Sequence, residues 1–211
     1  MTWRQDDMIE GNPNARLETF CDGVFAIALT LLIIDIKFPS TAAIDTAADF
    51  GRALGHIAPS IFAFVLSFLV ILISWVNHHS GLKLIKRSCP SFIYANGLLL
   101  LSVVFVPFPT SLVGEYLLTN AAAPAVALYD GVLAFQGLAW ALLGDSAIRN
   151  QLTKSEKAAA HIRVNRRNAY FALAGYSLLG ILALWFPLTI AIVTAVSWIF
   201  WLVAGMTITH D

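Results

Sequence analysis

Residues 19–37 read TFCDGVFAIALTLLIIDIK, and this stretch decides the fold class. The uncharged run GVFAIALTLLII lies between Asp22 and Asp35. At ~1.5 Å rise per residue, roughly 20 apolar residues cross a bilayer core of about 30 Å. Asn14 precedes the stretch as a helix N-cap, and Pro39 stops it. The same window finds five further spans, at about residues 57–77, 92–114, 122–144, 168–186 and 188–206. With 58% hydrophobic and 12% charged residues, the 211-residue chain does not fit a soluble globule. The expectation is an all-α integral membrane protein, one domain over residues 1–211 with six transmembrane helices.

Proline marks the ends of these spans. Pro59 falls in the first turn of the second, where its missing N–H costs little. Pro187 separates the fifth from the sixth with almost no linker, which predicts a tight antiparallel hairpin. Residues 40–56 carry Asp45, Asp49 and Arg52 among alanines and read as a short surface helix or loop. Residues 146–168 form a hydrophilic connector with helical character around KSEKAAAHIR.

Basic residues are retained on the cytoplasmic side of a membrane. Arg4, Arg16, Lys83, Lys86, Arg87, Arg149, Lys154, Lys157, Arg163, Arg166 and Arg167 fall on one side, eleven in all, against Lys37 and Arg52 on the other. Both termini are therefore expected in the cytoplasm, with the protein multi-pass in the cell membrane. Residues 1–18 are polar and carry Asp6, Asp7, Glu10 and Glu18, unlike a secretory leader, so the N-terminus is expected to be retained. Thirteen acidic residues balance thirteen basic ones, leaving no electrostatic handle for nucleic acid. Cys21 and Cys89 form neither a disulfide framework nor a metal or redox motif, and no cofactor is expected.

A carboxylate in hydrocarbon is costly, so Asp22 should face protein, water or a partner. As a helix-end carboxylate it has Arg16 as a neighbour. Arg16, Asp22, His78 and Asn96 could assemble as a polar cluster at the cytoplasmic ends of spans one to three. His78 and His79 point about 100° apart on a helix and find no third metal ligand at suitable spacing. His161 with Arg163, Arg166 and Arg167 reads as a solvated face. Asp130, inside span four, is an intramembrane carboxylate without an assigned role.

The segment from Arg16 through Phe20, Cys21, Asp22 and Gly23 to Leu31 resembles the RxxxFSDG opening of the endolysosomal potassium channel family, transmembrane protein 175, and especially its prokaryotic relatives. Ser74-Trp75 followed by His78, and Asn96 followed by PFPTSL at 107–112, resemble the same family. Cys21 departs from the motif serine and is a weaker hydrogen-bond donor. The resemblance implies a homotetramer whose first helices line a central pore without a TVGYG filter. Carried over from Asp22, it implies hydrophobic constrictions at Ile27, Leu31 and Ile34 and a polar ring at Thr30, with Arg16, Phe20, Cys21, Asp22, Trp75, His78 and Asn96 supporting the pore helix. Spacings of four and three put 27, 31 and 34 on one helical stripe, and Asp22 falls about 140° from Ile27. A packing or lipid-facing stripe has the same periodicity, and a Thr hydroxyl can instead bond back to its own helix.

The expected activity is passive, potassium-favouring cation conduction, with potassium ions, the bilayer and further copies of the chain as partners. The rival is a small secondary transporter or proton-coupled carrier using Asp22, His78 or Asp130. Such carriers show inverted repeats and broken helices, and neither is visible in the sequence. No nucleophile stands with a base or metal cluster at catalytic spacing, so an enzyme is not expected.

Overall fold

The computed structural model describes residues 13–40 and 44–208, with side chains at all of these except 35 and 200–208. Arg4, counted above for orientation, lies outside the described residues, as does the side chain of Asp35. The described chain is helical: α1 Ala15–Leu31, α2 Ala47–His56, α3 Ala58–Lys83, α4 Pro90–Phe105, α5 Pro107–Tyr116, α6 Ala122–Arg149, α7 Glu156–Leu182 and α8 Pro187–Ile208.

Four segments are long and apolar enough to cross a membrane among the described residues: Ala15–Ile34, Ala58–Lys83, Pro90–Tyr116 and Ala122–Arg149. They make this a multi-pass membrane protein. α8 is apolar over Pro187–Ile199, and α7 is not among the four. The fifth expected span is thus the second half of a longer element. Ser155 caps α7 by accepting from the Ala158 N–H at 3.1 Å, so the hydrophilic connector is helical from Glu156 and runs unbroken into the apolar part.

The third expected span is two helices. Pro107 has no N–H for the carbonyl of Val103, and the Val106 N–H takes it instead at 3.2 Å, tightening the chain before α5 begins. Val106 itself keeps helical dihedrals, φ −54° and ψ −42°, and Pro90–Tyr116 stays one membrane-length segment, so the interruption is confined to the hydrogen-bond ladder. Its physical cause is the Pro107-Phe-Pro109 run. The break is tied down by hydroxyls. Thr110 donates to the carbonyl of Val106 at 2.7 Å, which uses its single hydrogen. Ser67 of α3 must then donate to Thr110, at 2.6 Å, and Tyr129 of α6 to Ser67, at 2.9 Å.

α6 lies at the centre, packed against α4, α5, α7 and α8. Its contact with α7 depends on Gly137, where a Cβ would stand 2.8 Å from the backbone nitrogen of Leu173. At the end of the bundle holding the α3–α4 and α6–α7 turns, the two turns are zipped together. Lys86 N–H donates to Leu152 O at 2.8 Å and Lys154 N–H to Leu84 O at 2.9 Å. Gln151, at φ 51°, makes the left-handed step that lets the second turn reach the first. α1 packs on α3 and α4 at the side of this bundle.

Candidate pore helix and its support

α1 divides cleanly into two faces. Cys21, Phe25, Ala28 and Leu32 are buried, at steps of four, three and four, against Ile71 of α3 and Val103 of α4. Ile27, Leu31 and Ile34 are exposed at 59%, 38% and 68%, and Phe20 at 62%. The α-helix stops at Leu31 and tightens into a 3-10 turn over Leu32–Asp35. The 100° step used to place Ile34 therefore does not hold past Leu31, although Ile34 remains on the open side. Thr30 is exposed, and its hydroxyl donates to Ile27 O at 2.9 Å, a back-bond to the carbonyl three residues earlier.

The buried face of α1 is held by polar contacts. The indole N–H of Trp75 on α3 donates to Asp22 Oδ1 at 2.8 Å. Asn96 on α4 donates from Nδ2 to Cys21 Sγ at 3.0 Å, and its Oδ1 accepts from His78 Nε2 at 2.7 Å. Cys21, His78 and Asn96 are all at least 98% buried. The sulfur at position 21 acts as acceptor, so weak S–H donation does not matter for this contact. His78 also lies against Phe25, with ring centroids 5.4 Å apart, and Trp75 stacks on His79 at 5.8 Å.

Arg16 does not join this cluster. Its residue is exposed and makes no ion pair with Asp22, the described ion pairs being Arg52–Asp49, Arg163–Glu156 and Arg166–Asp145. The partner of Asp22 is an indole, a neutral donor that can be half-buried at far lower cost than a second ion. Asn14 is likewise no side-chain cap: its amide donates to Ile85 O at 3.1 Å, fastening the start of α1 to the α3–α4 turn. Arg166 also leaves the solvated face assigned to it. It pairs with Asp145 at 2.9 Å, and Tyr170 donates to the other oxygen of that carboxylate at 2.7 Å, pinning α7 to the end of α6.

Asp130, unassigned in the sequence, is fully buried and accepts from the Thr194 hydroxyl of α8 at 2.8 Å. Its second oxygen has no partner. A polar Thr within the last apolar run was the available signal for this pairing.

Comparison with known proteins agrees with this architecture. Residues 16–107 match the family described as endosomal/lysosomal potassium channel TMEM175. A protein of Chamaesiphon minutus named as a potassium channel is 46% identical over 123 residues, 58% of this chain and 60% of that relative. A second potassium channel by name, from Streptomyces collinus, is 45% identical over 137 residues, 62% of this chain and 65% of its own length. The chain thus matches somewhat under two thirds of the length of these curated relatives. The crystal structure of a lysosomal potassium-selective channel TMEM175 homolog from Chamaesiphon minutus superposes with a TM-score of 0.74 at 34% identity, over 89% of this chain and 96% of that one. With the motif residues of α1, α3 and α4 in mutual contact and a matching fold over nearly the whole length, this chain belongs to the TMEM175 family.

Proposed function

We propose that this protein is the subunit of a potassium-favouring cation channel, a homotetramer in the cell membrane in which four copies of α1 surround a central pore. The carrying observation is the division of α1: its small and aromatic face is buried in its own chain, while Ile27, Leu31 and Ile34 are left open. Only 22% of the most apolar window of α1 is buried, against 39%, 56% and 61% for the other three membrane-length segments, so among these four α1 leaves the most surface for another copy or a pore. The names of the relatives support potassium as the ion.

In this reading the second half of α7 and α8 complete six spans, and both termini are cytoplasmic. Rings of four branched side chains at 27, 31 and 34 dewet and close the path when narrow, and pass ions when it widens. Thr30 contributes an oxygen between the first two rings. Asp22 and Cys21 point the other way and hold α1 to α3 and α4 through Trp75 and through Asn96 and His78. Phe20 and Arg16 lie on the exposed side of the same helix.

The test is flux from potassium-loaded vesicles diluted into sodium. Vesicles holding the protein should polarise before valinomycin is added, to the extent that valinomycin produces in empty ones. A signal that appears only with valinomycin would overturn the reading. The unpartnered oxygen of Asp130 favours a second reading, a proton-coupled carrier. A carrier would need a proton gradient for net flux and would lose it in Asp130→Asn, whereas a channel conducts without one.

A further inference from the structure

The second half of α7 carries no charge from Asn168 to its end at Leu182, whereas Arg163, Arg166 and Arg167 crowd the turn before it. One stripe of the helix runs through both parts: Arg163, Arg167, Phe171, Ala174, Leu178 and Ile181, at steps of four, four, three, four and three. All six are exposed, Phe171 at 69%. A shallow groove lies along the upper part of this stripe, with Arg163, Arg167, Tyr170, Phe171 and Ala174 in its walls. At ~1.5 Å per residue, the stretch from Phe171 to Ile181 covers about 15 Å, half of a hydrocarbon core of about 30 Å. The apolar part of the stripe is therefore one leaflet deep, with two guanidinium groups at its outer edge.

The three arginines are not equally free. Arg166 is committed to Asp145, whose other oxygen accepts from Tyr170. Arg163 pairs with Glu156, but the carboxylate side chain is 84% exposed, and a pair so open to water is weakly held. Arg167 makes no ion pair among the described residues. The described carboxylates at this end of the bundle are Glu18, Asp22, Asp145 and Glu156, and each already has an interaction within its own chain. A second copy thus has no spare described carboxylate for Arg167. A phosphodiester brings one negative charge and two oxygens that fit a guanidinium fork. A soluble anion would meet the arginine and leave Phe171, Leu178 and Ile181 uncovered, whereas a phospholipid covers both parts of the stripe.

We infer that this stripe of α7 is a binding site for an anionic phospholipid of the cytoplasmic leaflet, with its phosphate on Arg167 and Arg163 and an acyl chain along Phe171, Ala174, Leu178 and Ile181. The inference rests on the reading that the second half of α7 spans the bilayer with its basic end in the cytoplasm. It is independent of the conducted ion and of a pore enclosed by four copies of α1.

The probes are phosphatidylglycerol and phosphatidylcholine with the same oleoyl chains, added to the purified full-length protein and counted by native mass spectrometry. Phosphatidylglycerol should be retained in preference to phosphatidylcholine. Arg163→Gln with Arg167→Gln should remove that preference, about fivefold for each arginine, the scale of one charge at an anionic surface. Lys86→Gln with Arg87→Gln takes two exposed charges from the α3–α4 turn at the same end and should leave the preference intact. Glycerophosphoglycerol, the headgroup without chains, should not displace the lipid, and Phe171→Ser should weaken both lipids alike. An equal loss in the Lys86 and Arg87 variant would mean a general charge effect and overturn the site. Displacement by glycerophosphoglycerol would make it a site for soluble anions, and dissociation of the protein in the Arg163 and Arg167 variant would make it a contact between copies; either overturns the proposal. Leu178→Cys, in a Cys89→Ser chain in vesicles, should resist a membrane-impermeant maleimide. Labelling would overturn the span and the lipid site together, whereas protection without a preference for phosphatidylglycerol would overturn the lipid site alone.

Discussion

Asp22 is half-buried on α1 and accepts from the indole N–H of Trp75 across 2.8 Å. Hydrogen bonds to charged groups contribute about 1.5–3 kcal/mol, and the coupling belongs to the pair that touches. A double-mutant cycle of Trp75→Phe with Asp22→Ala, read by thermal unfolding of the purified protein, should give a coupling in that range. The cycle of Arg16→Ala with Asp22→Ala should give under about 0.5 kcal/mol; a larger value would restore Arg16 as the partner. Cys21 is a different case, since its sulfur is an acceptor for Asn96 in a fully buried place. Cys21→Ser keeps an acceptor and should unfold within about 1 kcal/mol of the parent. Cys21→Ala orphans the Asn96 amide and should lose about 1–3 kcal/mol by the same measurement.

At the scale of elements, α3 and α5 approach so closely that a Cβ on Gly114 would stand 2.8 Å from the Cα of Ser60. The nearest atom is backbone, with Ser60 Oγ at 2.9 Å and Cβ at 3.1 Å beside it, so turning the hydroxyl away does not relieve the clash. Gly114→Ala should therefore push α5 off α3 and lower stability by about 1–3 kcal/mol, seen as a fall in Tm. No loss of Tm would mean that the two helices slide freely. α2 is governed by charge instead. Thr46 and Asp49 form a capping box, and hydrogen bonds from the Thr46 hydroxyl and backbone hold the Asp49 carboxyl below its usual range. A carboxyl depressed in the folded state contributes its stability above its unfolded pKa and loses it as pH falls through the folded value. α2 should thus be intact at neutral pH and fray as the pH drops below about 4, the unfolded value for Asp. Amide exchange at Phe50 and Gly51 would record this, and fraying that begins near pH 6 would require another group.

For the whole molecule, the open face of α1 has consequences that one chain cannot express. In the proposed tetramer, Ile27 is the ring nearest the basic end of the bundle, so shrinking it or making it polar should widen and wet the path. Ile27→Ala and Ile27→Asn should raise leak and weaken discrimination between potassium and sodium in vesicle flux. Native mass measurement should find four chains, since one α1 cannot enclose a path and closed symmetry supplies the rest. Unchanged selectivity in both variants would move the pore away from α1, and a conducting monomer would remove the ring.

Local composition was enough to read the helical membrane class, because a bilayer demands long apolar segments whatever their neighbours are. Segments one to four were legible on that ground, and the motif residues of α1, α3 and α4 only through their resemblance to the family. Pro107 was equally visible in the sequence, but its apolar surroundings masked the break, and only the packed helices showed Ser67, Thr110 and Tyr129 holding it in place. Hydropathy found only the second half of α7, whose charged first half is kept helical by its Ser155 cap and by Arg166 and Tyr170 on Asp145. Partnerships were the least legible part. The bonds from Trp75 to Asp22, Asn96 to Cys21 and Thr194 to Asp130 join residues 53, 75 and 64 positions apart. Local sequence can predict that a buried carboxylate needs a donor, but the choice among Arg16, Trp75 and Thr194 is made by which helices lie side by side and at what rotation. That arrangement comes from the tertiary packing.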